Sequence, residues 1–271
     1  MTPTLSDPRD LAQLAERGIE PEEAERQLAV LARPAAWIVL ERPCTPGDGI
    51  EQLSDARVDA LLATHARAAA AGRVSAFVPA SGAATRMFRE LLAARALPGE
   101  LAPAAVRARN DEAGLALVRF VEALPRFAFA EVLARVLTAQ GHPLESVREA
   151  GPWRVLLDAL LGADGLDMAG APKGLLLFHR EGGETRTAFE EHLIEAVALS
   201  GDARGTRTLD VTVSAEHRAG FARGLAERLP ALAARFGGRW QVEFTEQHPS
   251  TDTLAGEIGR ASCRERVCLG V

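Results

Sequence analysis

Short apolar runs alternate with helical segments in the second half of the chain, and this alternation leaves few possible folds. Runs at 175–180 (LLLFHR), 207–214 (RTLDVTVS) and 239–247 (RWQVEFTEQ) have the length and composition of β-strands, as does the earlier run at 74–78 (VSAFV). Helical segments separate these strands, and parallel strands need long crossover connections of that kind. The helix predicted at 188–200 is capped by Thr187, with Glu190 placed for a capping box, and the helix predicted at 215–237 is expected to be interrupted at Pro230. The pattern therefore predicts an α/β fold with a mostly parallel sheet.

The N-terminal segment, residues 1–73, is predicted to be mainly helical. Its expected elements are helices at 10–17, 21–33 and 56–71 and a short β run at 35–43. Ser54 is a favoured capping residue for the third helix. The apolar face of that helix is expected to consist of Val58, Leu61 and Leu62.

Residues 97–168 have helical periodicity and no predicted strand. The candidate helices span 111–123, 127–139, 143–149 and 153–161. Because this block separates the first predicted strand from the later ones, we predict a large helical insertion in a core made of 74–96 and 169–256. Together, residues 1–256 are expected to form a single α/β domain.

Composition argues against several classes of protein. The net charge is −6, spread along the chain, whereas nucleic-acid binders usually have a basic stripe. No apolar run approaches the roughly 18 residues of a membrane span, and the N-terminus lacks the apolar core of a signal peptide. We therefore expect a cytoplasmic protein with no nucleic-acid or membrane partner. The three cysteines, Cys44, Cys263 and Cys268, do not have the spacing of a metal site.

Residues 257–271 are predicted to be a non-native tail. The segment EIGRASCRERVC can be back-translated, in frame, into a common short-read sequencing adapter. On this interpretation the natural protein continues past Gly256, and the chain is a fragment, truncated at its C-terminus, that is inactive by itself. A basic natural tail is the alternative.

The segment PASGAATRM follows the first predicted strand and leads into a predicted helix at 85–93. In a strand–loop–helix unit, backbone N–H groups can hold phosphate, and small residues let a ligand approach them. The candidate loop residues are Ser81, Gly82, Ala83, Ala84 and Thr85. Arg86, in the first turn of the predicted helix, would add positive charge at the same place. A tight turn with a surface arginine is the alternative.

Lys173 is the only lysine among the 31 lysine and arginine residues of the chain. It lies between Pro172 and Gly174, at the start of an apolar run. Lysine is a compact point charge, and the planar arginine fork does not replace it where one phosphate oxygen must be met end-on. A coding bias toward arginine would spare such a position, so we predict that Lys173 contacts phosphate. Survival by chance is the alternative.

Polar side chains follow the last predicted strand in the segment EQHPSTDT. The polar loop contains Gln247, Ser250, Thr251 and Asp252. Gln247, Ser250 and Thr251 are candidate substrate-binding residues, because ligands of open α/β sheets bind at the carboxyl ends of the strands. An ordinary side-chain-stabilised turn is equally compatible with the segment. The histidines have no zinc spacing, and His217 is interpreted as a helix-surface or half-buried residue.

Five segments occur in the order typical of one family: FVPASGAATRMF, PKGLLLFH, RTAFEEHLIEA, VTVSAEH and EFTEQHPSTDT. On these motifs the chain resembles the DUF4301 family of bacterial proteins over residues 1 to about 256. More distantly it is similar to the nucleotide-sugar pyrophosphorylases, which have a G-G-x-G-T-R loop after the first strand and a later P-K-G lysine. The resemblance implies a Rossmann-like nucleotide-diphospho-sugar transferase core.

The same resemblance implies roles for particular residues. Residues 81–86 match the nucleotide loop, Lys173 matches the P-K-G lysine, and Ser214 and Gln247 would lie along the substrate cleft. The implied reaction is nucleotidyl transfer from a nucleoside triphosphate to a sugar phosphate, with release of pyrophosphate and with Mg²⁺ as cofactor. Arg86 and Lys173 would be the catalytic cations. This requires the helical block to loop out, so that Lys173 returns beside residues 81–86.

The chain also departs from the pyrophosphorylase pattern. Ser81 and Ala84 replace two of its glycines, and each added Cβ limits the approach of backbone to phosphate. Arg86 and Lys173 are much further apart than in that family, and no metal-binding carboxylates are identifiable. A non-catalytic nucleotide or sugar-phosphate binding module is therefore the first alternative, and a helical interaction protein is the second.

Overall fold

The computed structural model describes residues 7–33, 38–255 and 266–268. Its α-helices are α1 (Pro8–Arg17), α2 (Pro21–Leu31), α3 (Asp55–Ala70), α4 (Arg89–Arg95), α5 (Pro103–Arg107), α6 (Glu112–Ala123), α7 (Ala130–Ala139), α8 (Leu144–Glu149), α9 (Trp153–Leu161), α10 (Ala188–Leu199) and α11 (Arg218–Phe236). Its strands are β1 (Thr45–Pro46), β2 (Gly49–Ile50), β3 (Ala76–Pro79), β4 (Leu177–Glu181), β5 (Glu184–Thr187), β6 (Thr206–Val213), β7 (Arg239–Glu246), β8 (Thr253–Ala255) and β9 (Arg266–Cys268). The predicted α/β class is confirmed.

Three of the strands form a parallel sheet in the order β3-β6-β7. Alternate residues of β6 are buried, because successive side chains of a strand point to opposite faces. Their face of the sheet is covered by α10 and α11, whose Phe189 and Phe221 rings meet edge to face with centres 5.3 Å apart. Leu209, Val211 and Val213 are fully buried beneath these helices.

Helices α4 to α9 pack around a second core, and the four helices predicted between 97 and 168 are confirmed. Asp111 caps α6 by accepting a hydrogen bond from the Gly114 N–H (2.8 Å). Trp153 is fully buried at the start of α9. Ala84 and Leu176 also belong to this core, so the helical block is packed against both segments that join it to the rest of the chain.

The predicted strand at 175–180 is not part of the parallel sheet. Its residues 177–180 belong to β4, which pairs antiparallel with β5 in a separate hairpin. The hairpin turn is Gly182–Gly183, and both glycines have positive φ (59° and 84°). Two-residue hairpin turns of the commonest type require positive φ at both positions, which explains the glycine pair. The sheet is therefore parallel, as predicted, but has one strand fewer.

Several predicted boundaries also differ from the structure. Residues 38–43 of the predicted 35–43 β run do not form a strand, and no described strand pairs with them. Ile38, Val39 and Leu40 are 82–90% exposed. Residues 35–37 lie outside the described part. The helix predicted at 85–93 begins only at Arg89, after a series of turns.

Helices α3 and α11 each correct a detail of the sequence analysis. Ser54 caps α3 as predicted, but Val58, Leu61 and Leu62 are 38%, 41% and 61% exposed rather than buried. The C-terminal end of α3 contacts the loop before β6, where the Ala203 N–H donates a hydrogen bond to the Ala70 carbonyl (3.1 Å). Helix α11 continues through Pro230, which was expected to interrupt it.

The N-terminal helices pack against the segment that follows the last strand of the sheet. Leu14, Ile19 and Ala24 form a small buried cluster with Leu254, and the Gln27 Oε1 accepts a hydrogen bond from the Leu254 N–H (2.9 Å). The packing of Leu14 against Leu254 places α1 near the carboxyl end of the sheet. Of the predicted tail, residues 257–265 and 269–271 lie outside the described part, and residues 266–268 form β9 beside β8.

Candidate functional site

The carboxyl ends of the three parallel strands border a cleft of about 440 Å³, which we call the strand-end cleft. It is lined by Arg17, Ser81, Ala83, Ser214, Ala215, Glu216, Glu246, Gln247, Pro249 and Asp252. Backbone hydrogen bonds join the loops that leave the strands: Ala80 donates to Thr212 (2.7 Å) and Gln247 donates to Val213 (2.9 Å). The cleft thus lies where open α/β sheets generally bind ligands.

The lysine segment returns to the loop after β3, as the sequence analysis required. The Lys173 N–H donates a hydrogen bond to the Gly82 carbonyl (3.0 Å), and Ala83 forms a bridge with Pro172. The whole helical block is therefore a long excursion whose two ends meet at this point. Lys173 itself lies in a 3₁₀ turn just before β4.

A second cleft of about 250 Å³ lies on the other side of the same loop, and we call it the lysine cleft. Its lining residues are Val78, Pro79, Ala80, Gly82, Lys173, Gly174, Ala188, Phe189 and His192. The Lys173 side chain is exposed and its ammonium makes no ion pair with any described residue. His192 is engaged by Glu195, with 3.0 Å between Nδ1 and Oε2.

The predicted site residues are divided between the two clefts. Ser81, Ala83, Ser214 and Gln247 line the strand-end cleft. Gly82 and Lys173 line the lysine cleft. Alternate residues of the loop face opposite sides, as in any extended chain, so the loop separates the clefts. A ligand that touches both Lys173 and Ser214 would have to cross over this loop.

The second half of the predicted phosphate loop leaves the strand ends. Ala84 is fully buried in the core of the helical block, so its methyl group has a packing role rather than a place beside a ligand. Thr85 is half-buried and Arg86 is exposed, and neither lines the strand-end cleft or the lysine cleft. The chain turns toward the helical core at Ala84 and Phe88, which carries Arg86 away from the position predicted for it.

Ser250 and Thr251 also lie outside both clefts, in an exposed 3₁₀ turn. The Ser250 hydroxyl is hydrogen-bonded to His248 Nδ1 (2.7 Å), and the Thr251 hydroxyl donates to the His248 carbonyl (2.7 Å). These contacts are those of a side-chain-stabilised turn, which was the alternative interpretation of this segment. Asp252, the next residue, lines the strand-end cleft instead.

Gly174 has a packing reason to be glycine. A Cβ placed there would lie 2.9 Å from both Cε1 and Cζ of Phe221, whose ring is fully buried. We expect Gly174→Ala to lower the free energy of unfolding by about 1–3 kcal/mol, the usual cost of overpacking a core. Urea unfolding measures this loss, and combining Gly174→Ala with Phe221→Ala should remove the clash. If the double variant lost the sum of the two single losses, the clash between residue 174 and Phe221 would be contradicted.

A family model described as "Domain of unknown function (DUF4301)" matches residues 7–266. The chain belongs to the DUF4301 family. The match confirms the family resemblance drawn from the five motifs. No curated protein and no solved structure matches the chain. Among its described residues, no helix combines the length and apolar character needed to cross a membrane.

The sequence analysis of this DUF4301 chain did not predict Arg17 in the strand-end cleft. Arg17, at the end of α1, forms an ion pair with Asp252, and their side chains are 27% and 9% exposed. The pair joins the N-terminal helices to the segment after β7. Only the tertiary packing of α1 brings Arg17 to the cleft, and no local sequence signal marks it.

Ser214 of the same cleft is paired with a histidine, and the sequence analysis did not predict this pair. The Ser214 Oγ lies 2.6 Å from His217 Nδ1, and His217 Nε2 lies 3.3 Å from the carbonyl oxygen of Gly170. The His217 side chain is 14% exposed, in agreement with its interpretation as half-buried. The S-x-x-H spacing in VTVSAEH is the sequence signal that could have revealed this pair.

The carboxylates of the strand-end cleft do not fit a Mg²⁺ site as they are placed. Asp252 is paired with Arg17, and Glu246 lies 3.4 Å from Arg218 Nη1. Within the described part of the chain, no three His, Cys, Asp or Glu side chains are grouped so that they could hold a metal ion. We therefore assign Mg²⁺ no ligands.

Proposed function

We propose that the protein binds the phosphate groups of a nucleoside triphosphate and a sugar phosphate, and that it transfers a nucleotidyl group between them with release of pyrophosphate. The observation that supports this most is the backbone hydrogen bond between Lys173 and Gly82 (3.0 Å). It places the only lysine of the chain beside the loop of small residues. In this proposal the parallel sheet is the core of a Rossmann-like nucleotide-diphospho-sugar transferase fold.

The proposal gives the two clefts different parts of the ligand. Lys173 meets a phosphate oxygen in the lysine cleft, where its exposed ammonium has no competing carboxylate among the described residues. The remaining polar groups of the ligand lie over the loop, in reach of Ser81, Ser214 and Gln247 in the strand-end cleft. Phosphoryl-type chemistry of this class depends mainly on positioning and charge neutralisation, which such cations and amides supply.

This proposal gives Arg86 no catalytic role, although the resemblance implied one. Its side chain is exposed and lies outside both clefts, so it contacts no ligand placed as above. Arg17 is the cation of the strand-end cleft, but its guanidinium is already engaged by Asp252. The lack of a second unengaged cation in the lining of the two clefts is the observation in favour of a second candidate function, a nucleotide or sugar-phosphate binding module without turnover.

We expect Lys173→Ala to weaken the binding of ATP or UTP by about 10- to 100-fold, because a hydrogen bond to a charged group contributes about 1.5–3 kcal/mol. Lys173→Arg should bind as weakly, since the planar fork cannot meet the same oxygen end-on. Titration calorimetry measures both. The matched control is Arg180→Ala, which removes one exposed positive charge from β4, away from the clefts.

Turnover is tested separately, by pyrophosphate release from a panel of nucleoside triphosphates and sugar phosphates in the presence of Mg²⁺. The 271-residue chain and any longer product of the same gene are both assayed. Pyrophosphate release by either that depends on Lys173 would support the transferase. Binding without release across the panel would favour the module, and equal binding by Lys173→Ala and wild type would refute both.

A further inference from the structure

We propose that Ser214 is a nucleophile activated by His217, and that the strand-end cleft hydrolyses small carboxylic esters through an acyl-serine intermediate. This activity goes beyond the proposed function and requires neither a nucleotide nor Lys173. It rests on three groups in line: the Ser214 hydroxyl, the His217 ring and the Gly170 carbonyl oxygen. A nucleophile within hydrogen-bond reach of a base, with the base oriented by a third group, is the general signature of nucleophilic catalysis.

The contacts of the ring determine where its proton lies. A carbonyl oxygen only accepts hydrogen bonds, so the contact with Gly170 (3.3 Å) requires the hydrogen of neutral His217 to be on Nε2. Nδ1 is then an acceptor, and the Ser214 hydroxyl donates to it across 2.6 Å. This tautomer is the one in which His217 can take the hydroxyl proton.

The pair is more than a local helix cap. Ser214 precedes a 3₁₀ turn, but its side chain makes no capping hydrogen bond to that turn. Gly170 is 47 residues earlier in the chain, at the end of the helical block, so the ring is held by a tertiary contact. Ser214 also lines the cleft at the end of the central strand, β6, where a substrate can reach its hydroxyl.

The chain contains an internal comparison. Ser250 and His248 have the same Oγ–Nδ1 contact, at 2.7 Å, but they lie in an exposed turn outside both clefts. No described residue holds Nε2 of His248 as Gly170 holds that of His217. If a serine–histidine contact alone were sufficient, both serines would react equally.

Two neighbouring side chains, Glu216 and Gln247, can stabilise the charges that form during acyl transfer. The Glu216 carboxylate lies 3.8 Å from His217 Nδ1 and can stabilise the imidazolium formed when the ring takes a proton. The Gln247 amide lines the cleft beside Ser214, because the Gln247 backbone N–H is bonded to Val213. One side-chain N–H of Gln247 donates to Asp252 Oδ1 (3.5 Å), and the other is the candidate for stabilising the negative oxygen of the tetrahedral intermediate.

The reaction balances with water as the second reactant. Ser214 Oγ forms a bond to the ester carbonyl carbon while its proton moves to His217 Nδ1 and the carbonyl π electrons move to oxygen. Collapse of this intermediate breaks the bond to the alkoxy group, which leaves as the alcohol after taking the proton from His217. Water, deprotonated by His217, then attacks the acyl-serine and releases the carboxylic acid and the free hydroxyl of Ser214.

The first test uses a fluorophosphonate probe, which reacts preferentially with activated serine hydroxyls, on the whole chain without nucleotide. We expect one adduct, located by mass spectrometry at Ser214 and not at Ser250. Ser214→Ala should abolish it, and His217→Gln should slow it by about 100-fold or more, the typical contribution of a general base. An adduct at Ser250 or elsewhere, or no adduct on protein with a cooperative unfolding transition, would overturn the proposal.

The second test remains informative if an alanine variant fails to fold. Ser214→Cys introduces a thiol of similar size, whose alkylation by iodoacetamide reports activation by His217. We expect this thiol to react at least tenfold faster than Cys44, which is exposed and free, and to lose that advantage when His217→Gln is added. Equal rates at the two positions, or rates unaffected by His217→Gln, would refute activation. Hydrolysis of p-nitrophenyl acetate that Ser214→Ala abolishes would support the ester as substrate class, and hydrolysis unchanged by Ser214→Ala would overturn it.

Discussion

Phe221→Ala is expected to lower the free energy of unfolding by about 3–5 kcal/mol, as is usual when a buried phenylalanine is truncated. The ring is fully buried and packs against Phe189 and Phe244, with ring centres 5.3 Å and 6.3 Å away. It also lies directly against Gly174, next to Lys173. The variant should therefore bind phosphate ligands more weakly as well as being less stable. Truncation leaves a cavity beneath the turn at 173–174 that holds Lys173 in place.

Urea unfolding followed by circular dichroism measures the stability change. Phe77→Ala is the matched control, since the same side chain is removed from a position that is 67% exposed on β3. We expect that control to change stability by no more than about 0.5 kcal/mol. A loss below about 1 kcal/mol for Phe221→Ala would contradict the packing of α11 on the sheet.

Trp153→Ala is expected to cost a similar amount, about 3–5 kcal/mol, in the helical block. Trp153 is fully buried, its indole N–H donates to the Arg148 carbonyl (3.2 Å), and the Arg107 guanidinium lies 5.4 Å from the centre of the ring. The variant loses the packing, the hydrogen bond and the cation–π contact together. Because Ala84 and Leu176 share this core, loss of the block should also loosen the junction between the loop and the lysine segment.

The control for this variant is Leu115→Ala, which truncates an apolar side chain that is 43% exposed on α6. Its loss should be well below that of Trp153→Ala in the same unfolding experiment. If the two losses were equal, the helical block would not be organised around Trp153 as the structure has it. Limited proteolysis gives a second readout, since a loosened block should be cut first within residues 97–168.

Local signals predicted most of the helices correctly. Ser54, Asp111 and Thr187 all cap helices through their side chains, and Thr187 forms the expected capping box with Glu190. The apolar run at 175–180 was assigned to the wrong sheet, because apolar length does not distinguish a buried parallel strand from one arm of a hairpin. The pair Gly182–Gly183 is the sequence signal that indicates a hairpin turn at this point.

The candidate site was predictable only in part. Ser81, Ser214 and Gln247 meet because each follows a parallel strand, and parallel strands end at one edge of the sheet. Arg86 does not join them, since burial of Ala84 turns the chain toward the helical core. Arg17 reaches the cleft through packing between segments at opposite ends of the chain, which no local pattern encodes.

NMR of Lys173 itself tests the claim that the loop after β3 and this lysine form one phosphate site. Because the chain has one lysine, protein grown with ¹³C,¹⁵N-labelled lysine gives a single set of lysine signals in an NMR spectrum. Titration with ATP or UTP should shift the side-chain signal saturably, in wild type and in Arg180→Ala alike. A lysine signal that stays unmoved at millimolar concentrations of every nucleoside triphosphate and sugar phosphate tested would contradict the claim.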